Sequence, residues 1–280
     1  MKIINKISEM QSLSDLLKHE KKRIAFVPTM GFLHKGHLSL MKEGLRHADY
    51  LVLSIFVNPA QFGPGEDLES YPRNFKKDAD LVEKEGVNVI FAPDAKDIYP
   101  EHFQTYITLN DLPHHLCGIS RPNHFRGVAT IVTKLFNIVK PHTAIFGQKD
   151  FQQLAVIKQM VSDLNLDIEI IGAPIIREDD GLAMSSRNVY LSVDERQSAL
   201  SLFKALNNSQ KLLKSGETDA SKIINEAVKL INSYKKTLID YIAVCDPETL
   251  TDIKKIEKPV LMALAVKIGK TRLIDNMILN

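Results

Sequence analysis

Along the first part of the chain, short apolar runs alternate with amphipathic stretches, and this alternation restricts the possible folds more than any other feature. Ile24-Ala25-Phe26-Val27 reads as a buried strand stopped by Pro28, and residues 51–57 as a second, stopped by Asn58-Pro59. Further strand candidates lie at 87–91, 143–146 and 168–171. Between them Leu38, Met41, Leu45 and Ala48 recur at helical spacing, and 74–84 and 152–164 read as helices. The clearest helix is 128–139, where Val128, Ile131, Val132, Leu135, Phe136 and Val139 share one face. Strands separated by helices of this length predict an α/β fold with a parallel sheet covered on both faces. Such sheets bind ligands beyond the carboxyl ends of their strands, so the residues after each run are the first candidates for a site.

The pattern changes near residues 173–177. Two helical stretches, 195–213 and 220–234, are separated by Lys214-Ser215-Gly216, and strand-like runs follow at 241–244 and 260–266. They predict a smaller C-terminal α+β domain, with the chain divided into residues 1–174 and 175–280.

Charge narrows the range of ligands. The 36 Lys and Arg nearly balance the 34 Asp and Glu, leaving +2. That balance supplies no field for nucleic acid or a membrane surface, so small molecules are the expected partners. The only two cysteines, Cys117 and Cys245, exclude a disulfide framework or a four-cysteine zinc site. No run is long and apolar enough to cross a bilayer, and the polar residues within 1–13 interrupt any secretion-signal core, so a cytoplasmic protein is expected.

The densest chemistry follows the first strand, in Pro28-Thr29-Met30-Gly31-Phe32-Leu33-His34-Lys35-Gly36-His37. Two histidines three apart, around a glycine at a helix start, suit a phosphate: the helix end is electropositive and imidazole N–H groups add directed donors. A surface turn containing two histidines, or a weak metal pair, is the plainer reading of His-x-x-His alone. Asn58 and Gln61 follow the second strand, where a neutral amide can bind a hydroxyl or carboxylate; an ordinary Asn-Pro turn is the other reading of Asn58. Gly147-Gln148-Lys149-Asp150 follows the run at 143–146, its glycine and lysine suiting a phosphate and its aspartate a ribose; a solvated turn competes. In Met184-Ser185-Ser186-Arg187 two hydroxyls and a guanidinium can follow a triphosphate, or the serines simply cap a helix. The preceding Arg177-Glu178-Asp179-Asp180-Gly181 reads as a mobile charged hinge, and Asp78, between Lys77 and Asp80, as part of a solvated helix face. Arg121 and Arg126 flank a turn and either help to close a site or serve the structure. His114-His115-x-Cys117 is too closely spaced for tetrahedral metal geometry, and metal ligands stay unassigned.

The His34-to-His37 segment resembles the HxGH signature of the nucleotidylyltransferase and class I tRNA synthetase superfamily, and the longer string is similar to that of pantothenate synthetases. Blocks in the same order also resemble that family: 56–63, Arg121-Pro122-Asn123-His124-Phe125-Arg126-Gly127-Val128, 146–153 and 184–188, the last similar to the KMSKS loop. Gln148 departs from it, standing where Glu is common. The resemblance implies a Rossmann-like domain for nucleotide and pantoate, a smaller C-terminal lid, and a homodimer. It implies ATP as substrate with Mg²⁺, held by Met30 to His37, Gly147 to Asp150, Ile176 and Met184 to Arg187, and catalysis by His34, His37, Lys149, Ser185, Ser186 and Arg187. It assigns pantoate to Gln61 and Gln153, and β-alanine also to Gln61.

The activity so implied is an AMP-forming acid–amino-acid ligase reaction, joining pantoate to β-alanine through pantoyl adenylate. A nucleotidyltransferase shares the first motif but would keep the nucleotide on its acceptor. A tRNA synthetase is disfavoured by length and charge. A non-catalytic nucleotide-binding protein would have no use for both histidines, Lys149 and the Ser-Ser-Arg loop together.

Overall fold

The computed structural model describes all residues, Met1–Asn280. In chain order the elements begin with β1 (Lys2–Ile4), α1 (Ile7–His19), β2 (Ile24–Thr29), α2 (Lys35–His47), β3 (Tyr50–Ile55), α3 (Phe75–Lys84), β4 (Val89–Phe91) and α4 (Ala95–Ile98). They continue with α5 (Cys117–Ser120), α6 (His124–Val139), β5 (Thr143–Gly147), α7 (Phe151–Asp163) and β6 (Glu169–Ala173). The last elements are α8 (Val193–Lys214), α9 (Ala220–Asn232), β7 (Thr237–Cys245), β8 (Val260–Ile268) and β9 (Thr271–Leu279).

The chain forms two compact units: Met1–Pro113, Arg121–Gln148 and Gln153–Pro174 make the first, and His114–Ser120, Lys149–Gln152 and Ile175–Asn280 the second. In the first, a 6-stranded sheet runs β1-β4-β3-β2-β5-β6 with every pairing parallel. Its inner strands β2 and β3 are buried on both faces, which explains why they read as continuous apolar runs. Alternate residues feed opposite cores: Ile24 and Phe26 pack with α1, α6 and α7, whereas Ala25 and Val27 pack with α2 and α3. The expected two-sided α/β sheet is therefore present. After β2 the chain builds outward through β3 and β4, then returns beside β2 with β5, so the order reverses at β2. A crevice at the carboxyl ends opens at such a reversal.

The second unit carries a 3-stranded antiparallel sheet, β7-β8-β9, with α8 and α9 packed against it. This is the expected small α+β arrangement. Five elements escape the sequence reading: β1, α1, β9 and the single-turn helices α4 and α5. No helix is long and apolar enough to cross a membrane.

Candidate functional site

In the first unit, Thr29 ends β2, its hydroxyl donating to the Ser54 carbonyl at 2.7 Å and accepting from the Gly31 amide at 3.3 Å. Gly31 (φ +83°) and Phe32 (φ +50°) are both left-handed, turning the chain sharply before α2; glycine tolerates this freely and phenylalanine does not. The turn is held from α3. Asp78 accepts from the Phe32 and Leu33 amides at 2.7 and 2.8 Å. Its side chain is buried, not part of a solvated face as the sequence suggested. Desolvation raises its carboxyl above the ordinary aspartate value, against the lowering effect of the two amides.

His34 is the N-cap of α2. Its Nδ1 accepts from the Gly36 amide at 3.1 Å, while the His34 amide donates back to His37 Nδ1 at 3.3 Å. Two histidines thus perform the reciprocal capping usually done by Ser or Thr with Glu, their ring centroids 4.0 Å apart. Because both rings accept at Nδ1, each neutral imidazole carries its proton on Nε2 and offers it as a donor. The amides at this helix start are almost all taken up within the protein. From Gly31 to His37 only the Lys35 amide lacks a protein acceptor. What this end of the helix keeps beyond those contacts is the Lys35 amide and the positive pole of the α2 dipole.

Beyond β3, Pro59–Gln61 forms a single 3₁₀ turn capped by Asn58, whose Oδ1 accepts from the Ala60 amide at 3.3 Å. Asn58 is buried, and its Nδ2 donates to the Gly127 carbonyl at 3.1 Å and to Gln61 Oε1 at 3.0 Å. Gln61 Nε2 reaches Met30 Sδ at 3.2 Å, tying the acid-site candidate to the β2 loop. Asn58 is therefore more than a turn former. Gly127 on α6 permits all this: a β-carbon there would lie 2.2 Å from the Ala60 carbonyl oxygen and 2.6 Å from the Gln61 nitrogen. The Gln61 carbonyl meets His124 Nδ1 at 2.8 Å and Arg121 Nη2 at 3.3 Å. Arg121 also forms a two-pronged pair with Glu66, at 2.7 and 2.5 Å, fixing the 63–67 loop. Burial alone would raise the Glu66 carboxyl, but the Arg121 guanidinium outweighs it and holds it below the usual range. Arg126 lies over the Tyr106 ring at 4.8 Å. Gln153 on α7 is half-buried, and its amide makes no hydrogen bond within the protein.

Gly147 closes β5 and a 3₁₀ turn, Gln148–Asp150, leads into α7. Gln148 donates from Nε2 to the Gly172 carbonyl at 3.2 Å, a structural bond that glutamate could not make. In the second unit, Lys149 lies 3.6 Å from Asp150 and is largely buried. Its carbonyl accepts from Asn276 Nδ2, on β9, at 2.9 Å.

Ile176 and Met184 are paired, the Met184 amide donating to the Ile176 carbonyl at 3.0 Å, so 176–184 is a closed turn. The loose charged hinge expected here is braced instead. Arg177 grips Asp275 with bonds of 2.6 and 2.9 Å and stacks 4.0 Å over Phe203, while Arg196 binds Glu178 and Asp180, each at 2.7 Å. Ser185 caps the 3₁₀ turn Ser186–Tyr190, accepting from the Arg187 amide at 3.3 Å, which is the plainer of its two readings. Ser186 is buried and Arg187 half-buried. No group of three or more His, Cys, Asp or Glu side chains is arranged to hold a metal ion.

A parallel sheet that reverses at β2, with the paired-histidine cap and the Asn58–Gln61 turn following adjacent strands, makes this an α/β protein of the class that binds ligands at the carboxyl edge of its sheet. Residues 2–278 match the pantoate-beta-alanine ligase family, and the chain belongs to that family. It is 57% identical over 279 residues to the pantothenate synthetase of Desulfatibacillum aliphaticivorans, covering 100% of this chain and 99% of that one. Among solved structures it is similar to the pantothenate synthetase of Thermus thermophilus (TM-score 0.94, 38% identity, 99% of each chain). It is also similar to the pantoate-beta-alanine ligase of Francisella tularensis complexed with beta-gamma ATP and beta-alanine (TM-score 0.82, 34% identity, 99% of this chain and 97% of that one).

Proposed function

We propose that this chain condenses pantoate with β-alanine at the expense of ATP, through pantoyl adenylate, releasing AMP and pyrophosphate. The observation that carries this reading is the Gln61–Met30 contact, which sets an amide for an acid against the loop leading to the paired-histidine cap. In the first step a pantoate carboxylate oxygen attacks the α-phosphorus and pyrophosphate leaves. In the second the β-alanine amine attacks the acyl carbon, AMP departs, and the new amide nitrogen loses a proton.

Two like charges must be brought together in the first step, so the protein's task is positioning and neutralisation. In this reading the Nε2–H groups of His34 and His37, with Lys149, Ser185, Ser186 and Arg187, carry the phosphate charge, within a nucleotide site formed by Met30 to His37, Gly147 to Asp150, Ile176 and Met184 to Arg187. Gln61 and Gln153 hold pantoate. Mg²⁺ accompanying ATP would be held mainly by phosphate oxygens and water, as this small, strongly hydrated ion usually is. The reading includes a homodimer acting in the cytoplasm, with residues 1–174 binding the substrates and 175–280 serving as the lid; sedimentation at micromolar concentration tests the dimer.

Purified protein is tested for exchange of labelled pyrophosphate into ATP. Exchange that requires pantoate and is unaffected by omitting β-alanine is the expected result. Exchange without any acid, or none with pantoate, refutes the proposal.

A further inference from the structure

A side-chain amide looks symmetric in outline but not in charge: one end donates, the other accepts. An acid site needs the donating end. What turns Gln61 that way is visible in a chain of hydrogen bonds that begins at Tyr99, just beyond α4, a residue to which the site assignment gives no role.

Tyr99 Oη donates to Asn58 Oδ1 at 2.8 Å. With its carbonyl end so occupied, Asn58 can only donate from the other end, and Nδ2 reaches the Gly127 carbonyl and Gln61 Oε1. Gln61 is thereby held with its oxygen inward and its nitrogen outward. Its only protein partner on that side is Met30 Sδ, a weak acceptor that leaves the amide protons available. Reverse the first amide and the second reverses too, presenting an oxygen that repels a carboxylate.

Tyr99 is well fitted to set the polarity. A phenol can donate only while protonated, and burial raises its ionisation far beyond any physiological pH. Its ring is fixed edge-on to Phe103 at 5.1 Å and tilted against Phe56 at 6.5 Å, so the hydroxyl has one direction to point. The Ala60 amide also supports the Asn58 orientation, at a longer 3.3 Å.

We propose that Tyr99 is a positioning residue for the acid site: it orients the Asn58–Gln61 amide pair so that Gln61 presents N–H groups to the carboxylate or hydroxyl of the acid. This rests on the assignment of Gln61 to pantoate. The test is a double-mutant cycle on Tyr99→Phe and Gln61→Ala, with kcat, KM for pantoate, KM for ATP and Tm measured for all four proteins. Phenylalanine keeps the ring packing and removes only the donor. Tyr99→Phe should raise the KM for pantoate about 5-fold, the effect of one net hydrogen bond, with the KM for ATP and the Tm nearly unchanged. Gln61→Ala should raise it about 10-fold or more, and adding Tyr99→Phe should cost nothing further.

An unchanged KM for pantoate in Tyr99→Phe overturns the proposal while leaving the Gln61 assignment standing. So does a Tyr99→Phe loss that persists in full on the Gln61→Ala background, or one that falls equally on ATP. If Gln61→Ala itself leaves pantoate binding intact, the assignment fails and takes the proposal with it.

Discussion

Replacing Gly127 with alanine separates catalysis from stability, and the structure fixes both magnitudes. The added carbon would sit 2.2 Å from the Ala60 oxygen and 2.4 Å from its carbon, an ångström or more inside the 3.4 Å at which ordinary contact begins. These are backbone atoms, so no rotamer change relieves the overlap; α6 and the Pro59–Gln61 turn must part. Overpacking of this kind costs about 1–3 kcal/mol. Against it, alanine is better than glycine in a helix interior by about 1 kcal/mol. The net loss is therefore about 0–2 kcal/mol, or roughly 0–8 °C in Tm at 2–4 °C per kcal/mol. Catalysis has no such compensation. The shift falls on Gln61, and a misplacement of about 1 Å typically costs about 10²-fold in rate. Gly127→Ala should keep its fold and ATP affinity while kcat/KM for pantoate falls about 10- to 100-fold. Circular dichroism melting and steady-state kinetics with each substrate varied provide the readings. Wild-type kcat/KM for pantoate in a folded Gly127→Ala protein would refute the claim that this close approach sets the acid site.

Asp78→Ala removes the acceptor of two loop amides; it should lower Tm by several degrees, since each buried donor left unpaired costs about 1–3 kcal/mol, and slow adenylate formation about 10-fold or more. Unaltered pyrophosphate exchange would show that the turn holds without it. His37→Ala should cut exchange about 10²-fold by removing a phosphate-directed donor, and cost about 1 kcal/mol of stability through the lost cap; near-normal exchange would remove His37 from the chemistry. His142 Nδ1 accepts from the Ile24 amide at 3.0 Å, and burial, aided by Lys18 and Arg23, lowers its ionisation below the ordinary value of 6.5. With the folded value depressed, this stabilisation is complete above about pH 6.5 and is lost as pH falls through the folded value. The Tm drop between about pH 8 and pH 5 should shrink in His142→Asn, which keeps an acceptor that does not titrate; an equal drop would count against the linkage.

The parallel sheet was legible because its inner strands are buried on both sides, leaving unbroken apolar runs between breakers such as Pro28 and Asn58-Pro59. β1 was not legible: three residues starting with a lysine, at a sheet edge, give no period to detect. α1 buries a narrow face of Met10, Ser14 and Leu17, one of them polar. β9 is the instructive miss. Its alternation fails at Asp275 and Asn276, consecutive and both buried, because one binds Arg177 and the other the Lys149 carbonyl. The polar residues that obscure the strand are those that anchor candidate site segments.

In the site itself, residue types and order were readable, while their partners were not. The doubled histidine was visible at a helix start, but the mutual capping that fixes its tautomers depends on three-dimensional geometry. Asp78 looked solvated because its neighbours Lys77 and Asp80 are charged; its partners are amides of Phe32 and Leu33, far away in sequence. A position as tight as Gly127 leaves no mark in one sequence beyond the letter itself.

The second unit is spelled discontinuously, taking 114–120 and 149–152 from the middle of the first unit's sequence. A chimaera that grafts residues 175–280 from a relative would therefore transplant an incomplete body. The donor's β9 would have to offer Lys149 the same amide that Asn276 supplies at 2.9 Å, and its interior would have to accept the Gln152–His115 bond of 2.6 Å already present in the host. Exchange between lineages is constrained to pieces that respect those joints, which favours inheritance of the chain as a whole.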